Sequence, residues 1–174
     1  MKHISILGCL WALAATAAVA QTPPASTKVL DERYGFRGVR FESDTSALPD
    51  RTLAEVGGTT RFYRRTGEVK QLGEGEVSSI RYGFYKGKLA LVILETRGIT
   101  NSRAILAAIQ QQYGAGTRSS PFRQRYAWNG KAVTMSYDEN AASNDATIFI
   151  SSKKLRAQQL KAEYDAAKKL SPGQ

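Results

Sequence analysis

Between Val77 and Thr96 the chain alternates apolar and polar positions with period two. Ile80, Tyr82 and Phe84 share one parity, Lys86-Gly87 breaks the run, and Leu89-Ala90-Leu91-Val92-Ile93-Leu94 follows. That pattern predicts a hairpin. Its second arm is apolar at both parities, so it should be a central strand with both faces covered, one of them by a helix. Upstream, 35–41 reads as one strand with Val39 and Phe41 on a common face, and 59–65 as another carrying Phe62 and Tyr63. Between them a short helix is expected, N-capped by Asp50, with Leu53 and Val56 on its apolar side and Gly57-Gly58 at its end.

Downstream the period changes to helical. Ile105, Leu106, Ile109 and Tyr113 fall on one side of a helix for which Thr100, Asn101 and Ser102 offer an N-cap and Gly114 an αL stop. A second hairpin follows, Phe122 to Trp128 and Lys131 to Tyr137, joined by Asn129-Gly130, a pair suited to a type I′ turn. Thr147 to Ser151 adds a strand with Ile148 and Ile150. From 154 to 170, Ala157, Leu160, Tyr164 and Ala167 form a narrow stripe on a last helix. So thin a stripe should dock loosely or project, and truncation after Lys153 should leave the domain folded with a modest loss of stability. The two halves share an order of helix then three strands, with Ile80-Arg81-Tyr82 in the place of Met135-Ser136-Tyr137. The fold class expected is therefore α+β: an antiparallel sheet from a tandem αβββ arrangement, helices packed on one face, and a C-terminal helix.

The N-terminus adds a different signal. Lys2 precedes an apolar run from Ile4 to Val19 that ends in Ala18-Val19-Ala20, the form of a cleavable export signal with mature numbering from Gln21. The run is too short and too interrupted for a membrane span. The expected division is a signal peptide over 1–20, a flexible leader over 21–33, one α+β domain over 34–152, and a C-terminal helix and tail over 153–174. The expected location is periplasmic or secreted. Cleavage would remove His3 and Cys9, the chain's only histidine and cysteine. Imidazole and thiolate catalysis, zinc sites built on those ligands and disulfides would then all be excluded. Ile6-Leu7-Gly8-Cys9 has the form of a lipid-attachment box, but the apolar run continues well past it, so Cys9 reads as part of the signal.

Charge is concentrated. The mature chain holds 24 basic against 15 acidic residues, a net +9. Residues 81–131 alone hold nine basic residues against Glu95, a net +8. Such a field attracts anions. In an exported protein the partner expected is an anionic envelope component or an acidic protein rather than nucleic acid. Arg123 and Arg125 would share one strand face, with Arg118 in the preceding loop, and three guanidiniums could clamp a carboxylate or phosphate. With Arg81 and Lys131 they are the anion-binding candidates. The competing reading is a solvated strand face, and Tyr126 and Trp128 read as core.

Tyr82-Gly83-Phe84-Tyr85-Lys86-Gly87-Lys88-Leu89 and Gln112-Tyr113-Gly114, followed by Trp128, resemble a pattern in small exported bacterial proteins. At fold level the chain also resembles αβββ modules such as those of the β-lactamase inhibitor protein and the small lipoprotein of the outer-membrane assembly machine. That resemblance implies binding to other proteins and carries over no catalytic residue.

The remaining chemistry is sparse. Gly73-Glu74-Gly75 and Gly114-Ala115-Gly116 lack the strand-before, helix-after context of a phosphate loop. Asp138-Glu139 and Glu74 with Glu76 are carboxylate pairs in polar loops. Asp138, Asn140, Asn144 and Asp145 lack the spacing and closing Glu of an EF-hand, so no metal or other cofactor is expected. The reading is a non-enzymatic envelope binding module. The alternatives are a small hydrolase working without His or Cys, through carboxylates or a Ser-Lys pair, and a purely structural domain.

Overall fold

A computed structural model describes residues 26–170; the export signal, Cys9 and the first part of the leader lie outside the described residues. Three helices and eleven strands are formed among the described residues: α1 (Thr27–Arg33), β1 (Gly35–Phe36), β2 (Val39–Arg40), β3 (Arg51–Gly57), β4 (Thr60–Arg65), β5 (Gln71–Leu72), β6 (Gly75–Tyr85), β7 (Lys88–Thr96), α2 (Gly98–Tyr113), β8 (Thr117–Arg118), β9 (Arg125–Asn129), β10 (Val133–Glu139), β11 (Ala146–Ser152) and α3 (Lys153–Leu170). The main sheet is wholly antiparallel in the order β3-β4-β6-β7-β11-β10-β9-β8, with β5 added beside β6. This is the α+β class that the alternating pattern predicts.

The register shows why the halves look alike in sequence. Tyr63, Tyr82 and Val92 form one row across β4, β6 and β7, and Tyr126, Tyr137 and Ile148 the matching row across β9, β10 and β11. At the junction Val92 pairs with Ile150, Leu94 with Ile148, and Ile93 with Phe149. Exchanging the halves maps this pairing onto itself, so a local twofold passes through the Ile93–Phe149 pair. The helices obey the same relation, α2 packing on β6 and α1 on β10. Each helix therefore covers the middle strand of the other half.

Between helices and sheet lies the core, with Tyr82, Val92, Leu94, Ile105, Trp128, Tyr137 and Ile148 almost fully buried. Trp128 donates its indole N–H to the Gly114 carbonyl at 2.7 Å, which satisfies the polar edge of a buried ring. The helix of the first half is α1, inside the segment expected to be a flexible leader. Ser26 caps it, and Leu30, 2% exposed, belongs to the core.

Several local expectations are corrected. The helix expected over 50–57 is the edge strand β3. Asp50 has φ 50°, outside the extended region that an N-cap needs, and Leu53 and Val56 stay exposed, so no buried apolar side supports a helix. Residues 35–41 are not one strand but a tight hairpin, turned at Arg37-Gly38 with φ 47° and 81°. Helix α2 begins earlier than expected, at Gly98, whose N–H is accepted by Asp145 Oδ1 at 2.8 Å. Ser102 is instead buried, bonded to Thr96 and the Asn144 carbonyl. Gly114 ends the helix with φ 88° but ψ 176°, which is not αL. Phe122 and Arg123 precede β9 in an irregular loop rather than lying on the strand.

Asn129-Gly130 does not form a type I′ turn, since neither residue has positive φ. The loop instead wraps the Asp31 carboxylate of α1. Oδ2 accepts the Lys131 N–H at 2.6 Å, and Oδ1 those of Ala132 and Val133 at 2.8 and 2.9 Å. A tertiary contact thus overrides the strongest local turn signal in the chain. Burial raises the Asp31 pKa, but these amides outweigh it and hold the carboxyl below the usual range.

Helix α3 starts over the opposite face of the sheet from α1 and α2. Leu155 packs with Tyr85 and Ala90, Gln159 donates to Thr60 Oγ1 at 3.2 Å, and Lys154 pairs with Glu42. Its docked side is therefore Leu155 and Gln159. The stripe singled out in sequence, Ala157, Leu160, Tyr164 and Ala167, faces solvent, and the second half of the helix projects.

Candidate functional site

The hairpin β1–β2 stands over the core face of the sheet opposite α2, and a cleft of about 520 Å³ opens between them. That volume lies within the range of small-ligand pockets. Its floor is apolar: Met135 and Ile150 from the sheet, Ile109 from α2 and Val39 from the hairpin, each at most 4% exposed. Phe36 and Leu72 complete the walls, partly buried.

Three arginines stand around this apolar floor. Arg33 ends α1, Arg37 is at the hairpin tip and Arg40 follows on β2. Arg37 is tied down, donating to the Gln71 carbonyl at 2.7 Å, facing Glu68 at 3.8 Å and lying over the Phe36 ring. Arg33 lies over the Tyr113 ring with a long contact to its hydroxyl at 3.4 Å, and Arg40 lies over the Tyr34 ring. Neither Arg33 nor Arg40 has a carboxylate partner among the described residues. Burial pushes the Tyr113 phenol up in pKa, with Arg33 only partly offsetting it, so the hydroxyl stays protonated and can donate. The cleft thus offers cations and a phenol above an apolar bed. Among the described residues its lining contributes no carboxylate and no aliphatic hydroxyl.

Comparison with family models, curated proteins and solved structures finds no match for this chain. Its own geometry is what bears on function.

The five residues proposed from sequence do not meet. Arg81 lies between Glu55 and Glu95, 2.7 Å from each. Arg125 pairs with Asp138. Arg118 donates to the Pro121 and Arg123 carbonyls and lies over Tyr126, so it braces its own loop. Arg123 is exposed in that loop, and Lys131 is at the far end of the β9–β10 hairpin. Strands β6 and β9 are four steps apart in the sheet, ~19 Å at ~4.8 Å per step. With Lys88 on Asp44 and Arg103 on Glu139, four of the nine cations in 81–131 face carboxylates; four of the five partners, Asp44, Glu55, Asp138 and Glu139, come from outside the segment and only Glu95 from within it.

The candidate carboxylate pairs are also divided. Asp138 and Glu139 point to opposite faces, the first to Arg125 and the second, 5% exposed, to Arg103 and Tyr137. Glu74 and Glu76 are exposed beside the β5–β6 turn. In the 138–145 loop, Asn140 Oδ1 accepts the Ala142 and Ser143 amides and Asp145 caps α2. Among the described residues no group of three or more His, Cys, Asp or Glu is placed to hold a metal ion, and no helix is long and apolar enough to cross a membrane. Sequence reasoning missed the arginine trio because 35–41 reads as a single strand. A tight turn at Arg37-Gly38 is what brings Arg37 and Arg40 to the cleft's rim.

Proposed function

We propose that this protein is an exported, non-enzymatic binding module of the bacterial envelope, and that its ligand is an anion with an apolar body seated in the β1–β2/α2 cleft. One observation carries the reading: Arg33 and Arg40, without carboxylate partners among the described residues, stand beside an apolar floor. An anionic group at the arginines with its apolar part on Met135 and Ile150 would satisfy both halves of the cleft. Export is supported by the 1–20 pattern alone. Kinship with αβββ modules is supported by the mirrored register of the halves.

Calorimetric titration with a single-chain fatty acid below its micellar concentration, and with the alcohol of equal length, tests this. The acid should bind at least tenfold more tightly than the alcohol, and raised salt should narrow the difference. Changing Arg33 and Arg40 together to Ala should abolish the preference, and Ala108→Phe, which fills the cleft, should block both ligands. Equal binding of acid and alcohol, or indifference to Ala108→Phe, would overturn the proposal.

A further inference from the structure

A second cavity, about 550 Å³, lies where β4 leaves the side of β6. Its lining is mostly polar, with Ile80 the apolar side chain and Glu95, held by Arg81, a second carboxylate. Glu68 lines it with a side chain only 6% exposed. Glu68 Oε1 accepts from Tyr82 and from Arg65 at 3.1 Å and lies 3.8 Å from Arg37, whereas Oε2 is buried with no partner among the described residues. The Ser79 hydroxyl, on the same cavity, is likewise buried and unpartnered among the described residues. Around them stand Arg64, Lys70 and Arg97, for which no carboxylate lies within ion-pair distance among the described residues.

The other half of the sheet supplies an internal control. There Tyr137 also donates to a buried glutamate, Glu139, but Arg103 reaches both oxygens, Nε at 2.9 Å from Oε2 and an Nη at 2.9 Å from Oε1. The same fold element can therefore saturate a buried carboxylate. An ionised oxygen left unpaired in the interior costs more than the ~1–3 kcal/mol of a neutral group. Asp138 Oδ1, in that other half, is also without a partner among the described residues, but its side chain is 36% exposed and paired with Arg125, whereas Glu68 is 6% exposed and lies on the cavity.

We infer that this cavity is a binding site for an acidic sugar, a uronate or sugar phosphate. The anionic group would meet Arg64, Lys70 and Arg97, while hydroxyls donate to Glu68 Oε2 and pair with Ser79. A simple anion satisfies only the cations. A neutral sugar satisfies only the two buried oxygens. The site is separate from the apolar cleft, so the two proposals stand or fall independently.

Amide NMR titration of the full chain with glucuronate, glucose 6-phosphate, glucose and inorganic phosphate separates the cases. Glucuronate or glucose 6-phosphate should give saturable shifts at 64–70, 78–79 and 95–97, with glucose and inorganic phosphate at least tenfold weaker. The arm that binds identifies the acidic group. Lys70→Ala with Arg97→Ala should weaken binding at least tenfold, and Ser79→Ala several-fold, with melting temperatures held near that of the parent. Three results would overturn the inference: no shift at millimolar ligand, which assigns the cavity to water; inorganic phosphate binding as well as the sugars; or binding unchanged in Lys70→Ala/Arg97→Ala.

Discussion

The Asp31 carboxylate and Gly130 make a prediction that couples the first helix to the second hairpin. Asp31 holds three consecutive amides, and a Cβ added at Gly130 would lie 2.4 Å from its Oδ1. Hydrogen bonds to a charged acceptor contribute about 1.5–3 kcal/mol each when isolated. Here one partly exposed carboxylate serves three donors, and water can replace it, so Asp31→Ala should cost about 2 kcal/mol in all. Gly130→Ala should cost nearly the same, because the added methyl expels the carboxylate and loses the same bonds. Gly130 does not have positive φ, so the methyl meets no backbone penalty beyond that clash. The double variant should therefore cost about 2 kcal/mol rather than 4, a coupling of about 2 kcal/mol. Urea unfolding of the four proteins measures it, with thermal midpoints of both single variants lower by roughly 4–8 °C. Additive costs, or an Asp31→Ala effect under about 0.5 kcal/mol, would refute the claim that this carboxylate sets the loop.

Acid should erase the difference that Asp31 makes. Its amide partners hold its pKa below the usual range, and Glu42 is held low by Lys154 and Tyr34, so the stability they contribute is full above the unfolded-state value near ~4 and lost as pH falls through the folded values. The stabilities of the parent and Asp31→Asn should draw together as pH falls below the unfolded-state value, and a gap that stays constant down that range would count against the assignment. Truncation of α3 should split at its docked turns. Ending the chain after Glu163 should shift the melting temperature by no more than about 2 °C, since Tyr164, 68% exposed, and the residues through Lys169 are all exposed. Ending it after Lys153 removes Leu155, 6% exposed, with Gln159 and the Lys154–Glu42 pair, and should cost about 2–5 kcal/mol, more than the sequence pattern suggests.

What was legible in the sequence is what depends on period. The Ile80-Tyr82-Phe84 arm, the doubly apolar β7 and the Ile105-Leu106-Ile109 face lie where alternation and helical spacing put them, since burial on a sheet or helix face leaves that imprint. Lys86-Gly87 makes its two-residue turn with φ 49° and 78°. Segments whose conformation is set by distant groups left no such imprint. Leu53 and Val56 fit a helix or a strand equally well, and pairing with β4 decides between them. The Asn129-Gly130 loop answers to a carboxylate about 100 positions earlier. Arg33, Arg37 and Arg40 look like scattered surface charge until a turn at Arg37-Gly38 gathers them. Conversely, the charge excess of 81–131 is real in sequence but divided in space, because antiparallel pairing sets Arg81 and Arg125 beside carboxylates of neighbouring strands and disperses the rest.

The twofold relation between the halves helps to explain where binding chemistry can arise. A helix docked on the middle strand of the opposite half closes the core face, and α2, at sixteen residues, does this over β6. Its counterpart α1 has seven residues and cannot cover an equal length of β10. The β1–β2 hairpin inserted after α1 takes over part of that role, but two-residue strands cannot fill the volume of two further helical turns. The cleft over Met135 and Ile150 is the space left over. The same shortfall places Arg33, the last residue of α1, and the arginines of the hairpin at its edge. Replacing the hairpin with a longer helix would bury that floor and remove the arginine rim together, so the cleft's volume and its charge have one structural cause.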